Sequence, residues 1–393
     1  MLENHFEETN HMPKQHDLGQ YFTTNKELQE TIFGFIKNNP KHILEPSIGR
    51  GDLVRCIQEK SPATIFHMYE IDTTIQLLTG IQKDKINYGD FMSQSIGALY
   101  KTIIGNPPYV RTKKGNLYID FTEKCYHLLQ PGGELIFIVP SDFLKLTSAV
   151  KLLNEMMTGG TFTHIFHPNN ERMFENAAID IIVFRYCKNP ALEKRVLYNG
   201  KSLYITNSDG LITFNDAPTE TTAELFKDYF DVYVGIVNGR EEVYKNAELG
   251  NIEVLNAENK VDKYIYIETF PSKDQRINAH LLSHKQNLIT RGIRKFNEKN
   301  WFEWGAMRNI TAVNSNLGKD CIYVYNLTRA PIVAFKGKVG YFGGGLLMMK
   351  PKKPVDLQKV IAYLNTDTFK KNFIFSGRFK IGHRQLCNSH IIT

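Results

Sequence analysis

Apolar positions in the first half of this chain keep two rhythms. Leu28, Ile32, Phe33, Phe35 and Ile36 recur at helical spacing behind Thr24 or Asn25, either of which can cap, so residues 26–37 are expected to form a helix. Short continuous apolar runs follow at 42–44, 64–69, 102–104 and 134–139, each the length of a buried strand. Helical spacing lies between them, from Asp52, through Ile75 and over 119–129, with Pro131-Gly132-Gly133 as a turn before the last run. Another helix is expected at 149–157, and strands at 162–166 and 179–186. Strands alternating with helices predict an α/β fold, a largely parallel sheet with helices on both faces.

From residue 189 the rhythm changes. Short strands at 196–198, 203–206 and 211–214 are punctuated by Asn199-Gly200 and Asp209-Gly210, so the doubly wound pattern ends here. Residues 215–225, with Asp216, Pro218 and three threonines, read as a linker. The expected organisation is a flexible leader at 1–17, a first domain at 18–222 and a second, mostly β (α+β), domain at 223–393. A chain of 393 residues is long enough for two such cores.

Composition narrows the class. Hydrophobic residues at 42% and charged ones at 23% are the balance of a soluble globular protein. No apolar run reaches the length of a membrane span and the start is polar, so the expected location is cytoplasmic, with no membrane partner. The five cysteines have no paired spacing, which points away from a zinc site or a disulfide framework. The net charge of +7 is unevenly spread: residues 281–393 hold 13 Lys and 6 Arg against 2 Glu and 3 Asp. A basic, aromatic-rich C-terminal region suits a polyanion such as nucleic acid, a lysine-rich solvated surface being the alternative.

Candidate chemistry gathers where strands end, the place at which open α/β sheets bind ligands. The run 102–104 leads into Asn106-Pro107-Pro108-Tyr109. Each proline fixes its own φ, removes an N–H and pushes the preceding residue into an extended conformation, so the loop is stiff and its carbonyls point outward. With the Asn106 side-chain oxygen as a further acceptor and the Tyr109 ring as a plate, it can grip an exocyclic amino group, such as that of an adenine turned out of a stack. An ordinary double-proline turn is the alternative.

The first strand runs into Glu45-Pro46-Ser47-Ile48-Gly49-Arg50-Gly51-Asp52. Gly49 and Gly51 permit a tight turn and close approach of a ligand, but the pattern is neither the three-glycine dinucleotide loop nor a P-loop. Glu45 and Asp52 would repel phosphate and suit a cofactor with a cationic end; S-adenosylmethionine is one. Glu70, in Tyr69-Glu70-Ile71-Asp72, stands about 20 residues further on, the spacing of an acid that accepts from ribose hydroxyls. Asp90, in Tyr88-Gly89-Asp90-Phe91, is placed to accept from an adenine amino group while Phe91 packs on the ring. Either acid alone reads equally as a loop or helix-capping residue.

In this order the segments resemble the gamma class of N6-adenine DNA methyltransferases of restriction-modification systems. Leu18-Gly19-Gln20-Tyr21-Phe22-Thr23 is similar to the segment that, in this class, folds over the methionine part of the cofactor. The resemblance implies a Rossmann-like methyltransferase domain with a mixed sheet, followed by a DNA target-recognition domain. It implies that S-adenosylmethionine is held by Gln20, Tyr21, Phe22, Thr23, Glu45, Pro46, Gly49, Gly51, Glu70, Ile71, Asp90, Phe91, Asn106 and Phe121. It further implies catalysis by Asn106, Pro107, Pro108 and Tyr109, and stacking of the target base by Tyr109 and by Phe174 of Met173-Phe174-Glu175-Asn176. Phe121 and Phe174 read otherwise as core aromatics. The second half resembles the class more faintly, through Val234-Gly235-Ile236-Val237-Asn238-Gly239-Arg240 and Gly377-Arg378-Phe379-Lys380-Ile381-Gly382-His383-Arg384. Arg294, Arg308, Arg378, His383 and Arg384 are candidate DNA contacts.

The expected reaction is direct methyl transfer to the N6 of an adenine swung out of duplex DNA. Asn106 Oδ1 and the Pro107 carbonyl would accept both N6 hydrogens and stabilise the charge that develops on nitrogen. Double-stranded DNA is the expected partner, a restriction endonuclease acting on the same site a further one, and the enzyme is expected to act as a monomer. The rivals are methyltransferases that use the same loop on RNA guanine N2 or on protein glutamine, and a DNA-binding specificity protein with an inactive catalytic fold. The upstream Gln20-Tyr21-Phe22-Thr23 and the basic region downstream count against the first two, the intact acids and Asn106 against the third.

Overall fold

A computed structural model of the chain describes residues 19–112, 115–175, 177–218 and 224–391. The expected leader at 1–17, Leu18, Asn176 and the inter-domain position 222 lie outside the described residues. The chain divides into two compact units, Met1–Thr221 and Thr222–Thr393.

The first unit is built on a ten-stranded mixed sheet. Helix α1 (Lys26–Phe35) starts where Asn25 accepts the Leu28 N–H at 3.2 Å, one of the two caps expected. It leads into β1 (His42–Glu45), α2 (Asp52–Lys60), β2 (Ile65–Glu70), β3 (Ile86–Tyr88) and β4 (Tyr100–Gly105). Then come α3 (Leu117–His127), β5 (Leu129–Pro140), α4 (Val150–Gly159), β6 (Thr161–Phe166) and β7 (Ile181–Cys187). Strands β8 (Arg195–Tyr198), β9 (Lys201–Ser208) and β10 (Leu211–Asn215) close the unit. The sheet order is β10-β9-β8-β6-β7-β5-β4-β1-β2-β3. Strands β1 to β5 run parallel, while β7 is antiparallel to both its neighbours.

Successive residues of β5 point to opposite faces, so one strand feeds two cores. Leu135, Phe137 and Val139 pack with α3 and α4 residues such as Cys125 and Leu153, whereas Ile136 and Ile138 pack with Leu28, Ile32 and Val54 from α1 and α2. The helices therefore cover both faces, as alternation along the chain predicts. A buried charge ties these layers together: Glu134, 0% exposed, accepts from Arg185 Nε at 2.7 Å, from Thr102 Oγ1 at 2.9 Å and from the Lys37 and Asn38 N–H groups beyond α1.

Three expectations need correction. No helix runs through Ile75, because the Asp72 carboxylate captures the Thr74 N–H at 2.9 Å and its hydroxyl at 2.6 Å, and this local turn replaces helical bonding. Pro131-Gly132-Gly133 is not a separate turn but part of β5, at an irregularity where the partner register skips between Tyr100 and Thr102. The strands after residue 189 do not leave the doubly wound body; β8 pairs in parallel with β6 and carries β9 and β10 as an extension of the same sheet.

The second unit is α+β, with short helices. Its centre is a four-stranded antiparallel sheet of β11 (Phe230–Val234), β14 (Asp320–Tyr325), β15 (Ala334–Lys338) and β16 (Leu346–Pro351), in the order β11-β16-β14-β15. A hairpin of β12 (Ile252–Ala257) and β13 (Lys260–Tyr264) stands beside a core containing Trp301, Phe302 and Trp304. Among the described residues no helix is long and apolar enough to cross a membrane.

Candidate functional site

Parallel pairing brings the ends of four strands to one edge. Glu45 lies opposite Met68, Glu70 opposite Tyr88, and Leu44 opposite Ile103, so the loops after β1, β2, β3 and β4 leave the sheet side by side. They wall a cleft. Of the expected cofactor residues, Gln20, Tyr21, Phe22, Pro46, Gly49, Glu70, Ile71, Asp90, Phe91, Asn106 and Phe121 line it.

Glu70 is 6% exposed and already accepts the Gly49 N–H at 2.8 Å and the Asp72 N–H at 2.9 Å. Burial pushes its carboxyl up, while the Asp72, Gly49 and Ile71 N–H groups pull it back. A carboxylate has about four acceptor positions, so capacity remains beyond these N–H groups for a hydroxyl in the cleft. Asp90 is exposed, and one of its oxygens accepts the Met92 N–H at 2.9 Å. Phe91 and Phe121 stack at 5.3 Å and 28°, and both reach the cleft wall although they are 2% and 6% exposed.

Three expected cofactor residues do not line the cleft itself. Gly51 has φ +93° and caps α2, and a Cβ there would come within 2.6 Å of Ile81, so it serves a turn and a packing contact. Glu45 is 1% exposed, accepts the Ser47 N–H at 3.1 Å, and burial lifts its pKa to about 8. Thr23 is 4% exposed and meets Asn106 Nδ2; with Glu45 it lines a small side pocket that shares Tyr21, Phe22, Ser47, Gly49 and Asn106 with the cleft. Asp52, expected to bear on a cationic cofactor, is paired with Arg50 at 3.0 Å.

The segment 19–23 lies across the Asn-Pro-Pro-Tyr loop. Gly19, at φ +61°, accepts the Tyr109 N–H at 3.4 Å, and Asn106 Nδ2 donates to the Tyr21 carbonyl at 2.6 Å and to Thr23 Oγ1 at 3.2 Å. Pro108 lines the cleft, whereas Pro107 is buried and does not. The Tyr109 hydroxyl shares its single proton between Asn106 Oδ1 at 2.7 Å and the Ile138 carbonyl at 3.1 Å, and burial pushes its phenol well above the ordinary tyrosine range. Its ring packs against Tyr21 at 5.4 Å and Phe174 at 6.2 Å, with Phe174 only 4% exposed. A base between two rings needs roughly 7 Å, two van der Waals separations, so these rings must part to receive one.

Sequence reasoning missed several contributors. Gly19, Ser47, Gly89, Val110 and Leu117 also line the cleft. Lys124 donates to the carbonyls of Phe91, Met92 and Gln94, holding the loop that carries Asp90. Only its position on the helix after the Asn-Pro-Pro-Tyr loop could have drawn attention to it.

Residues 60–174 match the model of the Eco57I restriction-modification methylase family, a stretch that contains Glu70, Asp90, residues 106–109, Phe121 and Phe174. The chain is 30% identical over 209 residues to the Type II methyltransferase M.HincII of Haemophilus influenzae, covering 47% of this chain and 40% of that protein. It is 32% identical over 157 residues to the modification methylase CviBIII of Paramecium bursaria Chlorella virus NC1A, covering 35% and 41%. The likeness is to restriction-modification DNA methyltransferases. Each match spans about two fifths of the curated methylase's own length. The fold likeness is longer: the Type IIL restriction-modification enzyme MmeI, in a structure with DNA, aligns at a TM-score of 0.62 over 96% of this chain and 69% of its own, at 10% identity.

In the second unit of this methylase-like chain, the expected DNA contacts are unequal. Arg294 pairs with Glu303 at 2.6 Å, donates to the Trp304 carbonyl at 3.0 Å and lies over the Phe296 ring, so its charge is engaged within the unit. His383 contacts the Val232 carbonyl at 2.9 Å through Nε2. Arg378 and Arg384 are half-buried, and Arg308 is exposed. Gly235, in the first of the two faint motifs, has its backbone pressed on Gly343, where a Cβ would meet the carbonyl oxygen at 2.1 Å.

Proposed function

We propose that the chain is a site-specific DNA adenine N6-methyltransferase that uses S-adenosylmethionine and acts on an adenine turned out of the duplex. The observation that carries this reading is one cleft lined by Glu70, Asp90, Phe91, Phe121 and Asn106, with Pro108 at its rim. Its donor set fits the cofactor: a buried carboxylate with acceptor capacity left for ribose, an exposed carboxylate beside stacked aromatic rings for adenine, and, among the described residues that line it, no cluster of cations that would favour phosphate. When bound, S-adenosylmethionine supplies an electrophilic methyl group.

The chain's own groups do the rest. Adenine N6 is a poor nucleophile because its lone pair is delocalised into the ring. Asn106 Oδ1, fixed at the strand end, accepts one N6–H and favours the pyramidal, positively charged nitrogen of the transition state; the Pro107 carbonyl is the second acceptor on this reading. Tyr109 and Phe174 offset the cost of extrusion by stacking, at about 1 to 3 kcal/mol per stacked base. Holding donor and acceptor in line adds the gain from orientation. The second unit, with its basic composition, reads the target sequence. In this role the protein acts in the cytoplasm as a monomer on double-stranded DNA, beside an endonuclease cutting the same site.

The test is transfer of labelled methyl from S-adenosylmethionine to DNA free of N6-methyladenine, followed by sequencing of the modified positions. Label at one adenine in a defined sequence supports the reading. Label confined to RNA or protein, or absent from all three, overturns it.

A further inference from the structure

The neighbours of the Asn106 amide decide which of its ends faces the substrate. The Tyr21 carbonyl has no proton to give and lies 2.6 Å from one end of the amide, so that end must be the NH2 group. Thr23 Oγ1, 3.2 Å from the same nitrogen, accepts its second hydrogen. An amide turned the other way would set its oxygen against the Tyr21 carbonyl with no hydrogen between. The oxygen is thereby left on the side of the Tyr109 hydroxyl, at 2.7 Å. Thr23 is itself held: its carbonyl accepts from Gln29 Nε2 at 2.7 Å, and Gln29 is 5% exposed on α1.

We propose that Thr23 is a positioning residue for Asn106, holding the amide with the Tyr21 carbonyl in the orientation that aims Oδ1 at the substrate amine. This rests on the reading of Asn106 as the acceptor of that amine. Thr23→Val keeps the shape and removes the acceptor. With one neutral hydrogen bond lost, the amide samples the wrong orientation more often, and the rate of the chemical step falls about 2- to 10-fold.

The experiment measures single-turnover methyl transfer to unmethylated DNA and, separately, calorimetric binding of S-adenosylmethionine, at a temperature where wild type and variants are fully folded. Expected are a slower chemical step in Thr23→Val, an unchanged cofactor Kd, and recovery of rate in Thr23→Ser, which restores the hydroxyl. Thr23→Ala carries the same expectation as Val should the latter fail to fold. A raised cofactor Kd with the chemical rate intact would overturn the proposal and make Thr23 a cofactor ligand; an unchanged rate and Kd would overturn it too. A wild type that labels no DNA removes the functional reading and this inference with it, whereas an active wild type with an indifferent Val variant removes this inference alone.

Discussion

Replacing Tyr109 by Phe separates the ring from the hydroxyl, and the structure gives the two parts opposite effects. At rest the hydroxyl shares its one proton between Asn106 Oδ1 at 2.7 Å and the Ile138 carbonyl at 3.1 Å, so it occupies the acceptor that the functional reading assigns to the substrate amine. Its removal withdraws one proton, shared between the two carbonyls; at about 0.5 to 1.5 kcal/mol net per hydrogen bond, the folded state should lose about that much. An entering amine then finds Oδ1 without a competitor, and the extruded base should bind about 2- to 10-fold more tightly. The ring remains, and with it stacking of about 1 to 3 kcal/mol, which Tyr109→Ala would forfeit. The assay pairs denaturant unfolding with DNA affinity and single-turnover transfer for wild type, Phe and Ala. A Phe variant less stable than wild type, equal or tighter in DNA binding and far more active than Ala is the expected pattern. If Phe and Ala lose activity equally, the hydroxyl takes part in the chemistry and the resting-donor argument is wrong.

Asn106→Ala should abolish transfer while calorimetric binding of S-adenosylmethionine survives, since Glu70, Asp90, Phe91 and Phe121 remain on the cleft wall; normal turnover would contradict the role given to Asn106. Arg185→Leu should destabilise the first unit by about 3 to 5 kcal/mol in urea unfolding, because Glu134 is left 0% exposed without its cation. Glu45 is lifted by burial to about 8 from an ordinary 4.5, so its contribution to stability is fully present below 4.5 and is lost as pH rises through about 8. Glu45→Gln should therefore flatten the fall in urea midpoint across that window, and an identical pH profile in wild type and variant would refute the burial argument.

How legible this site was follows from which interactions are local. Strands β1, β2 and β4 could be read because continuous apolar runs ended at glycine, proline or acid, and parallel pairing then had to align their ends. The helix through Ile75 could not, because one Asp72 carboxylate outbid a helical turn by capturing Thr74. Nor do residue types tell which way a strap faces: Gln20, Tyr21 and Phe22 reach the cleft, and Thr23, next in line, turns to Asn106. In the second unit a charge count weighed Arg294 equally with Arg308, although Arg294 is engaged in an ion pair by Glu303, nine residues on.

The Asn-Pro-Pro-Tyr loop shows the limit most clearly. Its stiffness was evident from two prolines, and stiffness aims an acceptor. The same stiffness returns the Tyr109 side chain, three residues on, to the oxygen being aimed, so that, on the proposed function, an entering base must both part the rings of Tyr21, Tyr109 and Phe174 and displace a hydroxyl. An acceptor satisfied at rest by its own loop costs little to bury and is freed only by a competing donor. On the proposed reading, that competition favours a base carrying an exocyclic amine over one without it, before any methyl group moves.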